Sequence, residues 1–162
     1  MATTNCYHLT DRWSYEGYRF SNKTETVNTY DSKNDRYSTT TLYKALVFDL
    51  DGVKVGEVYY SLADRQFVTA EYQLLNNKRH GRFYEYHYGY CKRMAVEGTY
   101  HNGRLQGTYK KYDITGRVSD SLNWHDNLPH GTWVHNTTSG HCTTYEYQHG
   151  QCLSSSVPVS CT

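Results

Sequence analysis

The chain is short of aliphatic residues. It has 11 Leu, 1 Ile, 11 Val and 4 Phe among 162 residues, 27 in all or 17%. Composition that poor signals disorder only when net charge is also high. Here 17 Lys+Arg stand against 16 Asp+Glu, a net charge of +1, so the second condition fails. No stretch approaches the roughly 20 apolar residues of a spanning helix. Residues 1–10 lack both the basic n-region and the apolar h-region of a secretory leader. These absences predict no membrane span and an intracellular chain, cytoplasmic or, if viral, carried in the particle. The five cysteines (Cys6, Cys91, Cys142, Cys152 and Cys161) are odd in number and contain no C-x-x-C pair. Neither a closed disulfide framework nor a zinc knuckle is signalled, and free thiols in a reducing compartment are expected. No segment carries helical periodicity, and the length is that of one domain.

The apolar area missing from the aliphatics sits in 18 Tyr and 3 Trp, which bury much surface while keeping a polar tip near water. Thin, tyrosine-rich packing is the expectation. The chain also repeats. Gly56, Gly81, Gly107 and Gly131 recur at intervals of 24 to 26 residues. Before each stands a pair drawn from Asp, Asn and Gly: Asp51-Gly52, Asn76-Asn77, Asn102-Gly103 and Asp126-Asn127. These residues tolerate a left-handed backbone, so the pairs read as tight turns between strands. Two residues after each glycine comes Val58, Phe83, Tyr109 or Trp133, and a second turn follows at Asp64-Arg65, Gly89, Gly116 and Gly140. Each unit is therefore a β-hairpin. A truncated fifth unit spans 145–150 and runs into 157–159. Residues 1–44 read as a degenerate capping unit with turns at Ser21-Asn22-Lys23 and at 31–35, and residues 151–162 as a terminal strand and tail.

The run Glu97-Gly98-Thr99-Tyr100-His101-Asn102-Gly103-Arg104-Leu105-Gln106-Gly107-Thr108-Tyr109 resembles MORN-type repeats, in particular the second MORN variety of the YwqK-like antitoxin family. The following unit matches with Trp124 and Trp133 in place of the two tyrosines. The resemblance covers about residues 45–150. It implies an all-β chain of antiparallel hairpin repeats in a single meandering, twisted sheet of about ten to twelve strands. It also implies a binding or scaffolding role, compatible with assembly inside a virus particle.

A second resemblance competes. Ala45-Leu46-Val47-Phe48-Asp49-Leu50-Asp51-Gly52-Val53 is similar to the first motif of haloacid-dehalogenase-type phosphatases. There, an apolar strand delivers a nucleophilic aspartate (here Asp49) and an acid/base aspartate (Asp51) beside magnesium. That fold needs alternating helices and a parallel sheet, whereas hairpins follow Gly52, and Asp51-Gly52 sits in the same register as Asn102-Gly103. The motif reads as a turn.

Nine histidines are present, of which His80, His101, His125 and His130 occupy repeat positions. A metal site from His141, Cys142, His149 and Cys152 matches no standard ligand spacing. No metal, cofactor or catalytic residue is assigned. Charge is uneven, with nine basic residues (Lys78, Arg79, Arg82, Lys92, Arg93, Arg104, Lys110, Lys111, Arg117) within 78–117 and none after Val118. Tyrosines interleave with them, a pattern used by single-stranded nucleic-acid binders. Alternation places Tyr84, Tyr86 and Tyr88 on one face of a strand. The expectation is a non-enzymatic interaction or structural protein. Its contact candidates are Tyr84, Tyr86, Tyr88, Tyr100, Tyr109, Trp124 and Trp133. A protein partner comes first, nucleic acid or an acidic partner on the basic centre is the alternative, and self-association through sheet edges is a further expectation.

Overall fold

Two-residue turns with both residues at positive φ divide most of the chain. They fall at Asn76-Asn77 (51° and 62°), Asn102-Gly103 (48° and 85°), Asp126-Asn127 (49° and 68°) and His149-Gly150 (47° and 86°). This is the type I′ geometry, whose twist matches that of the strands it joins. The computed structural model describes residues 13, 17–61, 67–90, 93–156 and 159–160. Among them there is no helix, and no helix long and apolar enough to cross a membrane.

The strands are β1 (Tyr18–Asp31), β2 (Arg36–Asp49), β3 (Lys54–Tyr60), β4 (Val68–Leu75), β5 (Lys78–Tyr86), β6 (Met94–His101), β7 (Arg104–Leu105), β8 (Gly107–Tyr112), β9 (Val118–His125), β10 (Leu128–Pro129), β11 (Gly131–Asn136), β12 (His141–Gln148), β13 (Gln151–Ser155) and β14 (Val159–Ser160). They form one 14-stranded antiparallel sheet, an all-β meander as expected. The order β1-β2-β3-β4-β5-β6-β8-β9-β11-β12-β13 follows the chain, while the two-residue strands β7, β10 and β14 lie off this path and take the count above twelve.

The turn tips of successive hairpins stack. The amide of Gly103 donates to the Arg79 carbonyl (2.8 Å), Asn127 to Leu105 (3.1 Å) and Gly150 to Pro129 (2.9 Å). The Asn127 side chain adds a bond from the Leu105 amide to its Oδ1 at 2.7 Å. At the opposite end a second loop class recurs. Asp49, Asp113 and Thr137 each donate an amide across a three-residue loop, to Val53 (2.9 Å), Arg117 (2.8 Å) and His141 (2.7 Å). Each also accepts the amide of the loop glycine, Gly52, Gly116 or Gly140, all at positive φ. A side-chain oxygen of the same residue caps the loop. Asp49 Oδ1 accepts from the amides of Asp51 (3.0 Å) and Val53 (2.8 Å), and Asp113 Oδ1 from those of Thr115 (2.9 Å) and Arg117 (3.0 Å).

Asp51-Gly52 therefore belongs with Thr115-Gly116, and the register that equated it with Asn102-Gly103 is corrected. Gly81, Gly107 and Gly131 have φ of 91°, 77° and 78°, whereas Gly56 is not in the positive region. The phosphatase motif resolves in the same way. Asp49 ends a strand paired antiparallel on both sides, its carboxylate turned back onto its own loop. The parallel α/β frame that chemistry needs is absent among the described residues.

The N-terminal unit also departs from expectation. Ser21, Asn22 and Lys23 lie inside β1, because every residue from Tyr18 to Asp31 pairs in unbroken register with Asp49 to Arg36 of β2. The turn expected at 31–35 is present as residues 32–35, with Asp31 Oδ1 accepting the Lys33 amide at 3.0 Å. β2 runs across residues 44 and 45, joining the capping unit to the first repeat in one strand. Gly89, Gly116 and Gly140 occupy turns, while Asp64-Arg65 lies outside the described residues.

Two small cores hold the sheet, one on each face. Trp13 (4% exposed), Val47, Val58 and Val68 pack on one side of β2–β4, and Ala70, Tyr72, Phe83 and Val96 on the other side of β4–β6. Cys142 is disulfide-bonded and Cys152 is free and exposed. The free-thiol expectation is thus corrected at Cys142. Disulfides persist in oxidising surroundings, so thiol chemistry no longer supports a reducing compartment.

Candidate partner-binding face

Residues directly opposite each other in an antiparallel ladder share a face, and successive residues alternate. Following the register from β3 to β12 places Tyr59, Tyr72, Phe83, Tyr109, Trp133 and Tyr145 on one face, with Tyr100 and Trp124 in the same alternation. Their rings form chains across the strands. Centroids lie 5.7 Å apart for Tyr59–Tyr72, 5.5 Å for Tyr72–Phe83, 4.9 Å for Phe83–Tyr100 and 6.0 Å for Tyr109–Trp124. At the far end Trp133 lies 5.1 Å from Tyr145 and 5.9 Å from Tyr147. These are the offset and edge-to-face separations that aromatic pairs prefer.

Gly98 makes the central part continuous. It lies between Phe83 and Tyr109, and a Cβ there would stand 2.7 Å from Phe83 Cε1 and 3.1 Å from Tyr109 Cδ2. With no side chain in the way, the two rings meet over the strand at 6.2 Å. Arg79 covers the Tyr72 ring, its guanidinium carbon 3.6 Å from the centroid.

The stripe is most deeply buried at β4–β5, and Tyr59 on β3 is half-buried. Tyr72 and Phe83 are 7% and 2% exposed, whereas Tyr100, Tyr109, Trp124, Trp133, Tyr145 and Tyr147 are half-buried. Half-buried rings therefore run from β6 to β12, and at β9–β12 they lie beside a buried carboxylate. There Asp120, buried opposite His135, accepts hydrogen bonds from Trp133 Nε1 (2.9 Å), His135 Nδ1 (2.7 Å) and Ser119 Oγ (3.0 Å). Burial pushes the Asp120 carboxyl up, but the bonds from His135, Trp133 and Ser119 outweigh it and hold the group below the usual carboxylate range. The result is a fixed polar anchor that orients the Trp133 and His135 rings.

A carboxyl lowered in the folded state contributes stability that is present above its ordinary value and lost as pH falls through the folded one. Asp120→Asn is therefore expected to lose about 1–3 kcal/mol at pH 7. Its disadvantage should narrow below about pH 4, the ordinary range for aspartate. Urea titrations at pH 7 and pH 3 measure this, and an equal loss at both would refute it.

The remaining candidates are dispersed. Tyr84 and Tyr86 lie on the opposite face, where Tyr84 sits across from Glu71 and Glu97, and Tyr86 donates its hydroxyl to Glu71. Tyr88 lies beyond the end of β5, in a turn, 71% exposed, so the alternation expected to join it to Tyr84 and Tyr86 stops short of it. On that face Tyr112 donates to Glu97 at 2.6 Å, and burial together with this bond pushes its phenol up to about 12.

Among the described residues the basic side chains are divided between the two faces and the turns. Arg104 reaches Asp126 at 3.9 Å, Arg117 pairs with Asp113 at 3.0 Å, and Arg93 lies over Tyr90 and donates to the Ile114 carbonyl. Lys110 and Lys111 sit opposite Ser121 and Asp120 on opposite faces, and Lys78 is exposed at a turn tip. Arg82 and Lys110 share one shallow depression with Tyr84, Glu97, Thr99 and Thr108. Lys92 lies outside the described residues. The physical reason is the strand period, which sends neighbouring basic residues to opposite faces.

Tip stacking gathers histidines: His80 and His101 lie 4.7 Å apart, and His130 and His149 5.1 Å apart. Among the described residues no three His, Cys, Asp or Glu side chains are placed to hold a metal ion. In the four-residue set considered above, His141 is bonded to Ser139 at 3.1 Å and Cys142 is in its disulfide, leaving no thiolate there. Sequence reasoning missed Tyr145, Tyr147 and the Asp120–His135 pair. Alternation within β12 puts Tyr145 and Tyr147 on one face, but only the β9–β11 register brings Asp120 opposite His135. No family model and no curated protein matches the chain.

Proposed function

We propose that the chain is a non-enzymatic binding or assembly module that grips a protein partner with its aromatic face at β9–β12. The observation that carries this reading is the half-buried cluster of Trp133, Tyr145 and Tyr147, braced by Asp120, on a sheet face with no covering layer among the described residues. Large aromatics held rigid, with a polar handle nearby, are the commonest anchors at protein interfaces. Trp124 belongs to the same patch, and its buried Nε1 has no acceptor among the described residues. The MORN resemblance supports the same role, as a repeat scaffold in a larger assembly.

The test is a tagged pull-down from the native source at about 0.1 M and about 0.5 M salt, which bracket weak and strong screening. The expected result is a stoichiometric protein retained at the higher salt, lost with Trp133→Ala/Tyr145→Ala and kept with Tyr84→Ala. Recovery of nucleic acid that washes off at the higher salt, with no retained protein, would overturn this reading in favour of the basic residues.

A further inference from the structure

β1 is an edge strand, and its outer side has no partner strand among the described residues. Proteins usually blunt such edges with short strands, prolines or bulges. β1 has none of these three and carries charge in their place, at Arg19, Lys23, Glu25 and Asp31. It is 14 residues long and pairs with β2 without a register shift. The opposite edge is blunted: β13 has five residues, its register shifts at Glu146/Tyr147, and β14 occupies part of β12 beside it. The two edges are not equivalent.

Alternation sorts β1 into two faces. Tyr18, Phe20 and Tyr30 fall on one, and Arg19, Lys23, Glu25 and Asp31 on the other. Phe20, Val27 and Tyr30 are 39%, 39% and 49% exposed. The outer half of the β1–β2 hairpin projects beyond β3, whose pairing with β2 begins at Tyr43. A free two-stranded ribbon is at best marginally stable in water. Within the chain Lys23 stands directly opposite Lys44, an unfavourable like-charge pair. Lys44 is answered by Glu25 at 2.8 Å, and Lys23 has no acidic partner among the described residues.

We propose that β1 pairs antiparallel with β1 of a second copy about a two-fold axis at Thr24, joining two sheets into one. In this register Tyr18 to Tyr30 of one copy pairs with Tyr30 to Tyr18 of the other. Lys23 then faces Glu25 of the second copy on both sides of the axis, and Tyr18 faces Tyr30. Moving the axis to Lys23 or to Glu25 places that residue opposite its own copy, a like-charge contact. An isologous contact of this kind closes at the dimer, whereas a β1-to-β13 contact would propagate as a filament. The inference rests on the sheet edge and is independent of the aromatic-face reading.

Sedimentation equilibrium of the full chain tests it. Wild type is expected at twice 18.9 kDa. Lys23→Glu, which keeps both Glu25 and Lys44 and sets a second carboxylate opposite Lys44 within its own chain, places two like-charge pairs in the interface. It should weaken dimerisation on the order of ten-fold or more. Glu25→Lys alone should do the same, and an equimolar mixture of the two variants should restore a dimer, because each then supplies what the other lacks. A wild-type monomer at every concentration, a mass series extending beyond the dimer, or a dimer unaffected by Lys23→Glu would each overturn the proposal. If Glu25→Lys fails to fold by circular dichroism, the Lys23→Glu comparison alone decides.

Discussion

Gly56→Ala is expected to destabilise the fold by about 3–5 kcal/mol, as much as removing the Trp13 side chain itself. The reason is contact, since Gly56 is not held at positive φ. A Cβ there would lie 2.2 Å from Trp13 Cζ2, 2.6 Å from Cη2 and 2.9 Å from Cε2. The indole packs against Val47 and Val58, both fully buried, and against Val68, so a methyl group at position 56 displaces it from that seat. Once it has left, the methyl group costs little more. Gly56→Ala, Trp13→Ala and the double variant should therefore show similar losses in urea denaturation instead of adding. A loss for Gly56→Ala under about 0.5 kcal/mol, the range of an ordinary surface change, would mean that Trp13 is not seated on Gly56.

Phe83→Ala should be comparably severe on the other face, at about 3–5 kcal/mol. Phe83 is 2% exposed and touches the rings of Tyr72, Tyr100 and Tyr109, so its removal opens a void at the middle of the stripe. Gly98→Ala should injure the same place by pressing a methyl group into that ring. Trp133→Ala should behave differently. The residue is half-buried, and its loss costs one hydrogen bond to Asp120 and part of a ring cluster. A fold retained by Trp133→Ala beside one lost by Phe83→Ala would separate the core part of the stripe from its half-buried part. Equal losses at both positions would make the whole stripe core.

Much of the sheet was legible in the sequence because Asn, Asp and Gly announce the positive-φ turns at 76–77, 102–103 and 126–127 directly. Strand alternation then assigns Phe83, Tyr109 and Trp133 to one face without coordinates. Asp51-Gly52 was misassigned because the same residue types serve both loop classes. The deciding feature is the capping side chain of Asp49, two residues before the apparent turn. Ser21-Asn22-Lys23 carries turn-like residues, yet fourteen consecutive cross-strand pairs override that local preference. The tyrosines at 84 and 86 share their aromatic character with the stripe but not its face, and the charge cluster of the centre dissolves for the same reason of period. The Asp120–His135 pair is separated by fifteen residues and comes together only through the β9–β11 register. No local motif could have announced it.

The central claim is that the aromatic face at β9–β12, and not its reverse, meets the partner. Site-specific photo-cross-linking tests it most directly, with a benzophenone side chain placed at Tyr145 on the aromatic face or at the adjacent Glu146, which is exposed on the reverse. In extract from the native source, irradiation should give a discrete protein adduct from position 145 and none from position 146. Adducts of equal yield from both positions, or from position 146 alone, would contradict the account.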